Sequence, residues 1–274
     1  MRKTHSSLVV LALVASASAT AFAQAPPTTQ PKFIHIFREQ VKPGRLADHA
    51  QWEAGWPAAA EKAKSPYSYL ALVSITGPLE AWYVTSYASQ AAYGESVAWE
   101  NAQPGLTTEY DRLAKTDGEF LADATALQAV AVPELSHGAF PDIAKMRYWE
   151  ISTWRIRLGH DDAWAAATQA YKAAAARSAP NASWRTYRIV GGAPEGTYLT
   201  FSSVASFGEF DKMMAEGEAT MKGATAEEMV VLGKFMKDSV LNLSTNRYRL
   251  DPKQSYVDAA TKAKDLAFWT PKKP

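Results

Sequence analysis

The sequence predicts an α+β fold built from two tandem β-α-β-β-α-β units. Residue patterns recur at a nearly constant spacing: Gly44 and Gly159 are 115 positions apart, and so are Phe120 and Phe235. The turn that opens a later strand recurs at a spacing of 116 residues, and the segment that closes each unit recurs at a spacing of 119. Strand-like and helix-like segments also alternate in the same order in both halves. The 47% of apolar residues are sufficient for a packed core.

The N-terminal segment 1–23 has the features of a secretory signal peptide. Arg2 and Lys3 precede an apolar run, and small residues lead to Ala21-Phe22-Ala23, a pattern that signal peptidase accepts. A membrane anchor is the alternative, but the apolar run is much shorter than the roughly 20 residues that a spanning helix needs. We therefore expect cleavage after Ala23 and a periplasmic or secreted protein. Residues 24–32, which include three prolines, are expected to form a disordered tail.

The first unit is predicted over residues 33–136. A strand over 33–37 is followed by a turn at Pro43-Gly44 and by a helix with Trp52 and Trp56 on one stripe. Pro57 lies inside this pattern and predicts a break in the helix. Further strands are expected over 67–75, 80–87 and 126–132, because these segments are rich in aromatic and β-branched residues.

A connection over residues 137–145 leads to the second unit, 146–252. The predicted strands are 147–156, 183–190, 197–202 and 243–250, and the glycine pair at 191–192 forms a hairpin turn. Asp161 begins the first helix, and helices over 206–221 and 225–239 follow. Thr225 and Glu228 have the spacing of a capping box. The extension 253–274 is expected to pack onto the body through its few apolar residues.

Composition and charge exclude several classes of function. Without the signal peptide the chain has 27 basic and 28 acidic residues, so neither a nucleic acid nor an anionic membrane surface is expected as a partner. Stable membrane insertion is not expected either, because no later segment is long and apolar enough to span a bilayer. The chain contains no cysteine, which excludes disulfides and thiolate chemistry. The nucleophile-elbow, phosphate-loop, zinc-protease and dinucleotide motifs are absent as well.

Two short motifs carry a resemblance to a known family. Val41-Lys42-Pro43-Gly44 after the first strand, and the strand that begins Gly196-Thr197-Tyr198-Leu199, resemble segments of NIPSNAP-type proteins of the dimeric α+β barrel superfamily. The resemblance implies two ferredoxin-like repeats whose sheets enclose a lumen within one chain. It also implies relatives with varied activities, among them cofactor-free monooxygenases, haem enzymes and lactone isomerases. No catalytic motif is carried over from it.

His35 and Glu150 are the candidate catalytic residues. They occupy equivalent positions of the first strand in each unit. If Ile36 and Ile151 lie under the helices, strand alternation directs His35 and Glu150 into the lumen, where they could act as an acid/base pair. The alternative is a structural role, in which each is hydrogen-bonded to a neighbouring strand, for instance to Arg188 or Arg247.

Aromatic residues on the predicted strands are the candidate ligand-binding residues. Trp154, Trp184 and Tyr198, with Arg188, could line a lumen that takes a small, partly apolar molecule. Core packing is the alternative for the same aromatic rings.

No cofactor and no metal site are predicted. His49 and Glu53 have the i, i+4 spacing of a helical metal site, but the sequence shows no third ligand nearby, and core packing explains His49 better. Haem is disfavoured because only His35 is placed to ligate it.

The leading hypothesis is therefore an exported protein that binds a small molecule in a barrel lumen. The alternatives are a cofactor-independent monooxygenase or isomerase that uses His35 and Glu150, and a structural or interaction protein with a filled barrel. A monomer, which is a pseudo-dimer of its two units, and a homodimer are both compatible with the sequence.

Overall fold

The computed structural model describes residues 24–271, so the predicted signal peptide lies outside the described residues. In the first half, β1 is Phe33–Val41, α1 Leu46–Glu53, α2 Gly55–Lys62 and β2 Tyr69–Ser74. They are followed by β3 (Glu80–Tyr87), α3 (Gln90–Asn101), α4 (Pro104–Asp117) and β4 (Leu121–Ala131).

The second half has the same order of strands and helices. Its elements are β5 (Tyr148–Ile156), α5 (Asp161–Ser178), β6 (Arg185–Gly191), β7 (Thr197–Val204), α6 (Glu209–Lys222), α7 (Ala226–Asp238) and β8 (Val240–Leu250). Two short helices, α8 (Ala259–Lys264) and α9 (Leu266–Trp269), end the described chain. No helix within residues 24–271 has both the length and the apolar character needed to cross a bilayer.

The eight strands form one closed antiparallel barrel in the order β1-β3-β2-β8-β5-β7-β6-β4. The halves join along two seams, where β2 pairs with β8 and β4 pairs with β6. The predicted mixed α+β architecture is therefore confirmed, and the barrel closes within a single chain.

The interior of the barrel is filled by apolar side chains. Ile34, Ile36, Trp149 and Ile151 are buried in one continuous cluster with side chains from all the other strands. An eight-stranded barrel is just wide enough for its own side chains to fill it. A small cavity of about 90 Å³ remains at one end, under Pro26 and neighbouring residues.

Two local sequence signals are confirmed in detail. The first predicted helix breaks at Ala54, and Pro57 lies in the first turn of α2, where its missing N–H would have had no partner in the helix. At the start of α7, Thr225 and Glu228 form both hydrogen bonds of a capping box.

The C-terminal extension packs on the body, as expected. The backbone of Tyr256 exchanges hydrogen bonds of 2.8 and 3.0 Å with Tyr69 on β2. Ser255 and Trp269 are buried. This segment therefore covers the barrel beside the seam between β2 and β8.

Candidate functional site

A cavity of about 260 Å³ lies between the outer face of the first-half sheet and its covering helices. The strands β1, β2 and β3 form its floor, and α1 to α4 cover it. The lining residues are His35, Phe37, Glu39, Glu53, Trp56, Tyr69, Tyr83, Thr85, Glu100 and Tyr110. Phe37 is 40% exposed and Glu100 is exposed, which places them at the mouth of the cavity.

Strand register explains why these side chains share one face. His35 of β1 lies opposite Thr85 of β3, and Phe37 lies opposite Tyr83. Alternate residues of a strand point to the same side, so this set faces the helices while Ile34 and Ile36 face the barrel interior. The floor of the cavity is therefore largely aromatic.

His35 lies in this cavity and is half-buried. Its ring stacks on Tyr93 of α3, with the ring centroids 5.0 Å apart. Burial lowers the pKa of His35 below its ordinary value of 6.5. The imidazole is consequently neutral at pH 7 and can accept a proton.

Four buried titratable side chains, which we call the carboxylate cluster, adjoin the cavity: Glu39, His49, Glu53 and Asp117. Glu39 and Glu53 line it. One ligand-type atom from each residue lies within 4.8 Å of those of the other three. His49 Nε2 lies 2.9 Å from Glu39 Oε2 and 3.7 Å from Asp117 Oδ1. The residues come from β1, α1 and the end of α4, and each is at most 3% exposed.

Burial shapes the electrostatics of this cluster. Burial, followed by the charge of Asp117, raises the pKa of Glu39 to about 9. Burial, followed by the charge of Glu39, raises the pKa of Glu53 to about 8. The pKa of Asp117 is also raised by burial. The three carboxyl groups are close together in a site with little water, so they resist carrying three negative charges at once.

Two oxygen atoms of the cluster have no hydrogen-bond partner among the described residues. They are Glu53 Oε1 and Asp117 Oδ1, both inaccessible to solvent. Buried polar atoms are normally paired, so each unpaired atom requires an explanation.

The second half has a cavity of about 420 Å³ at the corresponding place, with a different lining. Trp154, Trp164 and Trp184 line it together with Tyr171 and Phe235. The rings of Trp154 and Trp164 are 5.1 Å apart, and Trp184 Nε1 donates to the backbone oxygen of Leu135 at 2.8 Å. Within residues 24–271, no carboxylate lines this cavity.

The predicted orientation of His35 and Glu150 is wrong. Both point outward to the helices, because the apolar residues on either side of each fill the barrel interior. In addition, β1 and β5 are four strands apart in either direction around the barrel. Glu150 forms an ion pair with Arg247, with 2.9 Å between Glu150 Oε2 and Arg247 Nε. His35 and Glu150 therefore face separate cavities and cannot act on one molecule.

The candidate ligand-binding residues are only partly brought together. Trp154 and Trp184 line the second-half cavity. Tyr198 is buried beside it, where its ring packs on Trp164 at 4.6 Å and its hydroxyl donates to Asp161. Arg188 is exposed on β6 and does not line the cavity.

Sequence reasoning missed Glu39 and Asp117. The His49–Glu53 spacing is the available signal, but neither Glu39 nor Asp117 is recognisable as a cluster member from the residues around that pair. Glu39 and Asp117 are 78 positions apart in the chain. Only the packing of α1 and α4 against β1 brings them to that pair.

Comparisons with known proteins agree on the architecture. No protein-family model matches the chain, and no curated protein matches its sequence. A solved structure described as an anthrone oxidase-like protein superposes with a TM-score of 0.55 at 11% identity, over 81% of this chain and 92% of its own. The fold is that of the dimeric α+β barrel.

Two further dimeric α+β barrel structures are similar to this chain, and both are described as proposed monooxygenases. The protein from Fusobacterium nucleatum gives a TM-score of 0.52 at 6% identity, over 80% of this chain and 92% of its own. The protein from Lactobacillus acidophilus gives 0.50 at 6% identity, over 83% of this chain and 97% of its own. At such identities the similarity establishes the fold alone.

Proposed function

We propose that this protein is an enzyme that removes a proton from a small aromatic molecule bound in the first-half cavity. His35 is the base, and the reaction is an isomerisation or an oxygenation that needs no organic cofactor. The observation that carries the proposal is the position of His35, a half-buried imidazole in a cavity lined by aromatic rings.

The lining of the cavity supports an aromatic ligand. Trp56 and Tyr110 pack 4.8 Å apart on the helix side, and Tyr69 and Tyr83 pack 6.2 Å apart on the sheet side. Flat rings favour stacked and edge-on contacts with rings of this kind. Polar groups at the two ends of the cavity can orient a molecule that also carries oxygen atoms.

The protonation state of His35 supports the role of a base. A base must be unprotonated at the working pH and within reach of the proton that it takes. Burial lowers the pKa of His35 and keeps the imidazole neutral at pH 7, and stacking on Tyr93 holds its ring against the cavity.

The fold neighbours suggest a first probe. One of them is described as anthrone oxidase-like, and anthrone is an enolisable aromatic ketone. Removal of a proton from its methylene carbon gives an enolate that can react with dioxygen. The methylene carbon then becomes a carbonyl, and one water is released.

The experiment compares the wild-type protein with the His35→Asn and Glu150→Gln variants. Oxygen consumption and quinone absorbance are followed with anthrone and with smaller phenols and enolisable ketones. We expect His35→Asn to lower turnover about 100- to 10,000-fold, which is the usual contribution of a general base. Glu150→Gln, on the opposite side of the barrel, should leave turnover unchanged.

Equal turnover in the wild type and His35→Asn would exclude His35 as the base. Circular dichroism of both variants checks that each remains folded. Loss of turnover in Glu150→Gln alone would move the active site to the second half.

A second candidate function is binding without catalysis, and the second-half cavity favours it. That cavity is larger and mainly apolar, and Trp154 and Trp184 from the predicted ligand set line it. Quenching of tryptophan fluorescence by an apolar probe tests it. Binding that is lost in Trp184→Ala, with no turnover of any probe by the wild type, would favour this function.

We further propose that the protein is exported to the periplasm or secreted, on the evidence of the sequence of residues 1–23.

The order of the strands supports the prediction of two ferredoxin-like repeats. When the strands of each half are numbered 1 to 4 along the chain, they lie side by side in the order 4-1-3-2 in both halves. Since the barrel closes within one chain, a monomer suffices to form it; a homodimer would use another surface.

A further inference from the structure

Three carboxyl groups share one buried site with a single imidazole in the first half. Burying an unpaired carboxylate is costly, and such groups normally carry a partner or coordinate a metal. Within the cluster only His49 can carry a positive charge, so the three carboxyl groups can all be ionised only if a cation joins them. Among the described residues no Lys or Arg forms an ion pair with Glu39, Glu53 or Asp117. The site lacks positive charge.

Two oxygen atoms of the cluster that lack hydrogen-bond partners indicate where a cation would bind. Glu53 Oε1 and Asp117 Oδ1 are buried, lack hydrogen-bond partners among the described residues and belong to the cluster whose ligand-type atoms lie within 4.8 Å of one another. We propose that Glu39, His49, Glu53 and Asp117 bind one divalent transition-metal ion.

The spacing of the side chains fits this ion. With metal–ligand bonds of about 2.1 Å, neighbouring ligands lie about 3.0–3.4 Å apart and opposite ligands about 4.2 Å apart. His49 Nε2 lies 2.9 Å from Glu39 Oε2 and 3.7 Å from Asp117 Oδ1. All four ligand-type atoms lie within 4.8 Å of one another, close to the 4.2 Å between opposite ligands of one ion.

The donor set selects the class of metal. One imidazole nitrogen with carboxylate oxygens suits Mn²⁺, Fe²⁺ or Zn²⁺, whereas Ca²⁺ and Mg²⁺ prefer oxygen ligands alone. The absence of cysteine removes the thiolate ligands that soft ions prefer.

The proposed ion adds to the proposed function. Its binding to the cluster does not depend on that function, but its action on an aromatic molecule does. Glu39 and Glu53 are both cluster members and cavity-lining residues. A metal ion held by them lies beside the space proposed for the aromatic molecule, where it could bind an oxygen atom of that molecule. The cavity also gives the ion a path to the site.

The test measures metal binding without any organic ligand, so its failure is separate from a failure of the proposed function. The purified protein is stripped with a chelator and titrated with Mn²⁺ by electron paramagnetic resonance and with Zn²⁺ by calorimetry. The variants are Glu53→Gln and Asp117→Asn. Glu100→Gln is the matched control, because Glu100 lines the same cavity outside the cluster.

We expect the wild type and Glu100→Gln to bind one Mn²⁺ or Zn²⁺ per chain and to bind Ca²⁺ more weakly. Each cluster variant should lose at least about tenfold in affinity, since even outer-shell changes cost 10- to 100-fold. Mn²⁺ should raise the Tm of the wild type but not that of the cluster variants. Without metal the cluster variants should melt close to the wild type, because each replaces a buried carboxyl group by an amide of nearly the same shape.

Two results would overturn the proposal. One is the absence of saturable Mn²⁺ and Zn²⁺ binding by the wild type at millimolar concentration. The other is wild-type affinity in both cluster variants. If either variant does not fold, Glu39→Gln and His49→Gln replace it, with the same expected loss.

Discussion

The outer face of the barrel carries a polar cluster in the first half and an aromatic cluster in the second, at positions 115 residues apart. The first-half residues are Glu39, His49, Glu53 and Asp117. The second-half residues at this spacing are Trp154, Trp164, Thr168 and Leu232. Three of these four pack together with Phe235 and Tyr198, and Thr168 lines the adjoining cavity.

This difference between the halves shows that the barrel architecture does not require the three carboxyl groups. In the second half, Trp154, Trp164 and Leu232 join helix and sheet by apolar packing at three of the same positions. Buried titratable groups with strongly shifted pKa values concentrate at functional sites. A polar cluster that the fold can do without supports the proposal that the first half holds the active site.

The largest expected effect comes from removing the centre of the aromatic cluster. Trp164 is buried and contacts Trp154, Tyr198 and Phe235. Trp164→Ala should lower the free energy of unfolding by about 3–5 kcal/mol, through lost burial and the cavity left behind. Urea denaturation measures this loss.

The exposed residue Val230 on α7 gives the control for that substitution. Val230 is 69% exposed, so Val230→Ala should change the unfolding free energy by less than about 0.5 kcal/mol. Equal losses in the two variants would show that the aromatic cluster does not stabilise the second half.

A smaller effect is expected from the titration of His35 in the first half. Burial lowers the pKa of His35, so the folded protein holds the neutral form to a lower pH than the unfolded chain does. As pH falls below about 6.5, His35 binds more protons in the unfolded state than in the folded state, so its contribution to the free energy of unfolding decreases. Turnover should be independent of pH near neutrality and fall about tenfold per unit below the His35 pKa.

The His35→Asn variant separates this titration from that of other groups. The unfolding free energy of the wild type relative to that of the variant, measured by urea denaturation, should decrease as the pH falls from 7 to 5, because the titration of Glu39 and Glu53 is common to both proteins and that of His35 is not. Identical pH dependence in the two proteins would show that folding does not lower the pKa of His35.

The smallest effect concerns the starts of two helices. The α7 helix begins with the capping box of Thr225 and Glu228. The N-cap residue of α4 is Gln103, whose side chain forms no capping hydrogen bond. Thr225→Ala should cost about 1 kcal/mol of unfolding free energy. Gln103→Ala should cost close to nothing, and an equal cost in urea denaturation would contradict the difference between the two caps.

Local signals in the sequence predict the elements well. The helix break before Pro57, the capping box at Thr225 and the glycine turn at Gly44 can all be predicted, because each depends on neighbouring residues alone. By contrast, β4 begins at Leu121, five residues before the predicted start. Its first five residues contain no aromatic and only one β-branched side chain, and they owe their strand conformation to pairing with β1.

The site is harder to predict, for two physical reasons. Strand alternation correctly separates His35 from Ile36, but the pattern cannot tell which face of the sheet is the inner one when both faces are covered. The carboxylate cluster joins residues from β1, α1 and α4, and no short-range pattern reports such packing. The resemblance to NIPSNAP-type proteins is a prediction that the comparisons leave open.

Closure of the barrel within one chain has a consequence for how the two cavities can change. In a barrel made from two identical chains, every substitution appears twice, on both sides of the symmetry axis. Here the seams between β2 and β8 and between β4 and β6 join two different sequences. A mutation alters one cavity and leaves the other intact, so one side can accumulate destabilising polar groups while the other preserves the packing on which both depend.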